Sequence, residues 1–420
     1  MNLFALMILI ALVVEFVLGV VADLLNLKTL RLELPSALEG VYQPDEYRRS
    51  QEYTGTTTRF GLVSRAFNLT LLLSFWFVGG FNYLDQIIRV WGYASIMKGL
   101  LYIGILLIFY NLLRLPFSIY ATFVIEERFG FNRTTPRVFL LDKVKGLAVS
   151  IVLGMPLLAG ILALFEYGGH YAWLYCWLAT IIFLLVVAFV APIWILPFFN
   201  KFTLMNDGEL KEAILNYVQA VGYRISNLFV MDGSKRSTKA NAFFTGFGRS
   251  KRVALFDTLI EKHTVPELVA VLAHEVGHYK KRHILQGIVI SIAHTGIIFF
   301  LLSLFLSSPG LYQAFYVEQQ SIYSGLLFFG LLYTPIEVFL SMVLQRISRR
   351  NEYQADLFAV ETIEEPQSLV DGLKRLSVGN LSNLTPHPFY VFLNYSHPPL
   401  LERVRAIQQY QTWRVRDKMC

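Results

Sequence analysis

The chain has 420 residues, of which 55% are hydrophobic and only 16% charged, against roughly 25% charged in an ordinary soluble domain. Its net charge of +7 flanks apolar segments instead of marking one soluble face, which argues against a nucleic-acid partner and for a lipid bilayer. Only two cysteines are present, Cys176 and Cys420, so neither a disulfide framework nor a cysteine metal site is expected.

Seven apolar stretches, near 3–21, 67–85, 99–124, 146–165, 172–198, 284–308 and 321–345, approach the ~20 residues that cross a bilayer. The first has Glu15, lacks a basic start and has no small-residue cleavage site after it, so it reads as a span and not a removable leader. The second is the weakest, because it contains Gly79-Gly80 and Asn82. Lys and Arg crowd into 22–66, 125–145, 199–283 and 346–420, whereas 166–170 and 309–320 have neither. Basic loops stay in the cytoplasm, so seven spans predict an outside N-terminus and a cytoplasmic C-terminus.

The segment 199–283 carries a helical pattern near 207–222 and strand-like runs at Asn227–Met231, Lys239–Phe247 and Arg252–Phe256, with a turn at 248–251. The segment 346–420 reads as helical, broken by prolines near 385–399. The expected organisation is therefore five N-terminal spans in 1–198, a protease segment with strands in 199–283, spans six and seven in 284–345, and a helical C-terminal segment in 346–420. Sequons at Asn68, Asn132, Asn380, Asn383 and Asn394 all fall on the cytoplasmic side of this topology or within a span, and are read as chance.

The chemistry is concentrated in His274-Glu275-Val276-Gly277-His278. On a helix, residues four apart share a face, so two imidazoles can grip one metal ion, here expected to be a single Zn2+. Glu275 is placed to take a proton from the attacking water and to return it to the leaving amine. Thr264 and Glu267 have the spacing of a capping box, Pro266 suits a first turn, and Leu268, Val271, Leu272 and Val276 give apolar helical spacing. Lys280, Lys281 and Arg282 suit the last turn, and the helix is expected to run straight toward the sixth span. A chance pattern on an amphipathic helix is the plainer explanation, and the correct helical context weighs against it.

Catalytic zinc commonly has three protein ligands. The best source of the third is Arg349-Arg350-Asn351-Glu352-Tyr353-Gln354-Ala355-Asp356, expected to continue the seventh span as a helix. Glu352 and Asp356 are one turn apart. One can bind the metal while the other accepts a hydrogen bond from a ligand histidine, and the spacing leaves open which does which. A solvated acidic pair beside two arginines is the alternative.

The pairing of HEVGH with S-R-R-N-E-Y-Q-A-D on seven spans resembles the integral-membrane type I CAAX prenyl protease family. The likeness extends to 235–243, to 251–259, and to Tyr395-Ser396-His397-Pro398-Pro399-Leu400-Leu401-Glu402-Arg403. It implies a mainly α polytopic membrane protein whose seven helices enclose a water-filled chamber, with a small α+β zinc-protease domain on the cytoplasmic side. It also implies Glu352 as third ligand, Asp356 as support, and His397 as stabiliser of the oxyanion. The substrates implied are peptides or prenylated CAAX-type protein C-termini, cut to remove the last three residues. The setting would be the endoplasmic reticulum membrane in a eukaryote or the inner membrane in a bacterium.

From the residues themselves, 239–247 can serve as an edge strand that pairs with an extended peptide, bringing Asn241 and Ala242 near the scissile bond. Arg403 is expected to orient His397 or to pair with a neighbour of Glu352. Glu15, Arg114, His294 and Glu337 lie in apolar stretches and are expected to face a bundle interior or a wet cavity. His170, His263, His283 and His387 receive no role. A quality-control metalloprotease without a prenyl requirement is the enzyme alternative. A transporter or a binding scaffold would leave the metal motif or Glu275 unexplained.

Overall fold

The computed structural model describes residues 1–31, 33–34, 42–245 and 252–417. The first span, α1 (Leu3–Thr29), starts where the Asn2 side chain accepts from the Ala5 amide. The second, α2 (Pro44–Phe77), opens with a proline and a Gln43/Glu46 capping box. This corrects the expected 67–85: the helix begins 23 residues earlier and stops at Phe77. Its polar first half packs Tyr47 into the protease core, a role that hydropathy does not register. Gly79, left-handed at φ 75°, then turns the chain into a separate short helix, α3 (Gly80–Val90).

Spans three to five each combine prolines with a widened π turn. The third runs α4 (Ser95–Tyr120), containing Pro116, into a π turn at Ala121–Glu126. The fourth is α5 (Pro136–Val149), a π turn at Ser150–Gly154, and α6 (Met155–Tyr167) with Pro156. The fifth is α7 (Ala172–Val190), a π turn at Ala191–Ile195 holding Pro192, and α8 (Leu196–Phe199) with Pro197. Proline lacks an amide donor and crowds the preceding turn, and a wider turn absorbs that misfit without ending the helix.

The chain then leaves the spans. Strand β1 (Phe202–Leu204) and helix α9 (Glu209–Ala220) precede β2 (Asn227–Met231), β3 (Ala242–Thr245) and β4 (Arg252–Phe256). The sheet order is β1-β2-β4-β3. β2 and β4 pair in parallel, with Asn227 opposite Arg252, and both outer pairs are antiparallel. Of the strand expected at 239–247, only Ala242–Thr245 is strand, and positions 246–247 and the turn at 248–251 lie outside the described residues.

After α10 (Asp257–Ile260) come α11 (Val265–Lys280) and α12 (His283–Phe305), the sixth span. These are not collinear as expected. Arg282 is left-handed at φ 62° and separates them, so the sixth span starts in a new direction. Helix α13 (Pro309–Gln313) leads to α14 (Ile322–Thr362), a single 41-residue helix that is both seventh span and protease helix. The boundary expected at 345 thus lies within one continuous helix. The chain ends with α15 (Gln367–Gly379), α16 (Pro388–Asn394) and α17 (Leu400–Asp417).

The spans form a ring in sequence order. α1 packs on α2 and α14, α4 on α6, α6 on α7, α7 on α12, and α12 on α14, while at the far end, where Tyr102 meets Tyr323, α14 also packs on α4 and α6. Phe60 and Phe67 of α2 close the remaining seam against Phe117 of α4. Burial is confined to the two ends of this ring. One core gathers Trp76, Phe81, Tyr102, Phe315, Tyr323 and Phe328, and the other packs α9, the sheet, α11, α15 and α17. Between them the walls formed by α2, α4, α12 and α14 bury nothing. There is no buried residue between Thr58 and Trp76, Tyr102 and Ile125, His283 and Phe299, or Tyr333 and Glu352. The last gap spans ~28 Å at the helical rise. A solid bundle would bury one face of each span along its length, so the ring encloses a chamber.

Candidate metal centre

Helix α11 positions the two histidines. Its capping box is formed, with the Thr264 amide donating to Glu267 at 3.0 Å. Gly277 lets α11 lie directly against α14, since a β-carbon there would stand 3.0 Å from the Cα and the carbonyl oxygen of Ala355. That close approach delivers Glu352 to the histidine face. His274 Nε2 and His278 Nε2 stand 3.2 Å apart, with Glu352 oxygens 3.4 Å from the first and 3.3 Å from the second. One ligand atom from each of the three lies within 4.8 Å of the others.

These residues fit a metal ion. Two imidazole Nε2 atoms converge on one another and on a single carboxylate, all three within reach of one ion. Glu352 is 3% exposed, and its Oε2 makes no acceptable hydrogen bond despite His274 and Arg403 nearby. A buried carboxylate oxygen left over between two converging imidazoles is a donor set of the kind that holds zinc.

Glu352 and Asp356 occupy different positions about His274. Asp356 lies behind His274, with Oδ1 2.8 Å from Nδ1, so His274 presents Nε2 toward Glu352. Arg403 of α17 donates to both Asp356 oxygens, at 2.6 and 2.8 Å. Of the two expectations for Arg403, the structure gives the pairing with a neighbour of Glu352. Burial disfavours the guanidinium charge, but Asp356 and Glu352 more than restore it and hold the Arg403 pKa above its usual value. Burial likewise pushes the His274 imidazole down, while the hydrogen bond to Asp356 and the nearby Glu352 carboxylate more than offset this and raise it to about 9.

His397, in the turn before α17, places Nε2 3.3 Å from Glu352 Oε1 while its side chain stays largely exposed. Its Nδ1 is 2.9 Å from Ser396 Oγ. Glu275 lines a cavity of about 520 Å³ between α11, α12 and α14, together with His278, His283, Ile290 and Leu344.

Asn241 and Ala242 sit at the outer edge of the sheet, Asn241 just before β3 and Ala242 its first residue. The Asn241 carbonyl accepts from Phe256 of β4, and its side chain accepts from the Ala242 amide at 2.8 Å. The Ala242 amide therefore points away from β4. Asn380 pins the preceding residue by bonding both backbone groups of Ala240. Among the described residues no hydrogen bond or ion pair joins Asn241 or Ala242 to the histidine cluster.

His283, given no role from the sequence, belongs to the site. Its Nδ1 is 3.0 Å from His278 Nδ1, and its Nε2 is 2.9 Å from Gln354 Oε1. The left-handed turn at Arg282 brings it back onto His278, and no helical periodicity signals that fold-back. His387 caps α16, and His263 bonds the Leu259 carbonyl, so both are structural. In the wall, His294 of α12 meets Tyr333 at 3.1 Å and Glu337 at 3.2 Å on α14, and Arg114 bonds Tyr110. Glu15 is exposed.

The family profile described as CAAX prenyl protease N-terminal, five membrane helices, matches residues 23–201, and that of peptidase family M48 matches 205–411. The chain is 34% identical to CAAX prenyl protease 1 of Saccharomyces cerevisiae, covering 89% of this chain and 88% of that protein. It is 34% identical to the Arabidopsis thaliana homolog, with 94% and 95% covered, and 31% identical to the Homo sapiens homolog, with 89% and 88% covered. The crystal structure of S. mikatae Ste24p superposes with a TM-score of 0.92 at 31% identity, over 97% of this chain and 99% of that one.

Proposed function

The chain belongs to peptidase family M48, in the group that carries the CAAX prenyl protease N-terminal domain, and on that premise we propose that it is a zinc endopeptidase trimming prenylated CAAX-type C-termini. The observation that carries this reading is the convergence of His274, His278 and Glu352 beside Glu275, at the mouth of a chamber ringed by seven spans.

His274, His278 and Glu352 would hold the ion. Bound there, zinc supplies a Lewis acid for the scissile carbonyl and lowers the pKa of water. Glu275 takes the proton of the attacking water and passes it to the departing amine. Asp356 keeps the His274 proton on Nδ1, and Arg403 keeps Asp356 charged. His397, exposed and close to Glu352, donates to the oxygen on which negative charge develops. The edge at Asn241 and Ala242 receives the substrate backbone as an added strand, which selects an extended peptide. A hollow wall suits a lipid-modified substrate, because one face of the chamber can admit an apolar chain while the peptide reaches a wet site.

The basic loops all lie at the protease end of the ring, which supports a cytoplasmic active site. The relatives named above are eukaryotic CAAX prenyl proteases, which favours prenyl processing over general quality control and the endoplasmic reticulum over a bacterial inner membrane. The test uses detergent-purified protein and two matched peptides, one farnesylated at a CAAX cysteine and one not, with and without a zinc chelator. Chelator-sensitive cleavage of the farnesylated peptide alone is expected. Equal cleavage of both would replace the prenyl requirement with a broader membrane protease.

A further inference from the structure

The two histidines of the HEVGH helix are held differently. His274 leans on a charged carboxylate, whereas His278 has no acid behind it and leans instead on His283. We propose that His283, backed by Gln354, is a positioning residue that fixes the tautomer and ring orientation of His278 for metal binding. The inference rests on the metal reading above.

The argument is one of hydrogen-bond direction. If His278 presents Nε2 to a metal ion, its proton is on Nδ1 and must be donated. Among the described residues the partner shown there is His283 Nδ1, at 3.0 Å, which must then be an unprotonated acceptor. His283 consequently carries its proton on Nε2 and needs an acceptor of its own. Gln354 Oε1 is 2.9 Å away and can only accept. Every donor in the chain from His278 to His283 to Gln354 finds one acceptor, and reversing any tautomer sets two donors or two acceptors against each other. Geometry adds a second constraint. His283 is the first residue of α12 and Gln354 lies on α14, two residues beyond Glu352, so the relay ties both membrane helices to one ligand ring. Arg282, left-handed just before it, sets the angle at which His283 returns.

The test compares His283→Phe, which keeps a ring and removes the acceptor, with His283→Asn, whose Oδ1 occupies the place of Nδ1. Gln354→Leu is a milder second probe should the Phe variant fail to fold. The readout is the apparent Zn2+ dissociation constant of the full-length protein, measured by competition with a chelator. Thermal melting after metal removal is measured in parallel. His283→Phe should weaken zinc binding about 10–100-fold, as loss of such a partner typically does. His283→Asn should recover most of that loss, Gln354→Leu should weaken binding by a smaller factor, and the melting of the stripped proteins should not move. Unchanged zinc affinity in the Phe and Leu variants, or equal loss in Phe and Asn, would overturn the assignment. A shift confined to melting would make His283 a packing residue and overturn it too. Wild-type protein that binds no zinc at all would instead remove the metal reading on which the proposal stands.

Discussion

Gly277 and Ala355 meet backbone to backbone, and this contact sets the separation between the two helices that carry the metal-binding side chains. Gly277→Ala should push α11 away from α14 by a few tenths of an ångström or more. Overpacking of this kind costs about 1–3 kcal/mol. Zinc content should fall together with thermal stability. A Gly277→Ala protein with wild-type melting and full zinc would show that the helices can yield without disturbing the site.

Asp356 lies between a metal-facing histidine and a buried arginine. Asp356→Asn keeps the shape and removes the charge, leaving Arg403 without its principal partner. Breaking a buried pair from one side costs on the order of 3–5 kcal/mol, and zinc affinity should fall about 10–100-fold. Denaturation and chelator competition read the two effects separately. Loss of affinity with no loss of stability would show that Arg403 is compensated elsewhere.

Glu275 and Glu352 should separate chemistry from binding. Glu275→Gln should keep the ion and lower turnover by about 10²–10⁴-fold, the usual contribution of a general base. Glu352→Ala should lose the ion as well. Metal analysis alongside peptide cleavage decides the matter, and an active Gln variant would remove Glu275 from its role.

On the proposed metal reading, a proton and the ion would compete for Nε2 of His274. Its pKa is raised to about 9 by its carboxylate neighbours, so the proton is held more firmly than on an ordinary imidazole. Zinc affinity should therefore climb as pH rises toward 9 and level off above it, by up to about tenfold per unit if one proton is displaced. Titrations at several pH values test this, and a plateau already reached by pH 7 would contradict it.

The amide of Ala242 points away from β4 and is available to an incoming chain once it leaves Asn241. Ala242→Pro deletes that donor without removing a bond to β4. The expected result is a drop in kcat/KM with zinc content unchanged. Full activity would move the peptide-binding edge elsewhere.

The sequence disclosed the spans and the metal motif because both depend on local pattern. Apolar runs of bilayer length and two histidines four apart need no tertiary knowledge. It failed where a residue's meaning depends on what it meets. The first half of α2 is polar yet helical and sends Tyr47 into the protease core, so hydropathy placed the start of the helix too late. Glu352 and Asp356 cannot be told apart by spacing, but in space one faces the Nε2 atoms and the other stands behind His274. His283 and Gly277 each depend on a contact with α12 or α14 that no periodicity encodes. Asp85, buried at the far end and bound by Arg89 and Tyr323, was likewise invisible, since its partner on α14 is 238 residues away.

The ring of spans runs in chain order, and α14, its last member, both meets α1 and carries Glu352. A nascent chain that has inserted only six spans is an open trough with two histidines and no third ligand. The circle closes and the ligand set is completed by the same helix, in one event. On the proposed metal reading, a partial wall of six spans lacks the Glu352 ligand.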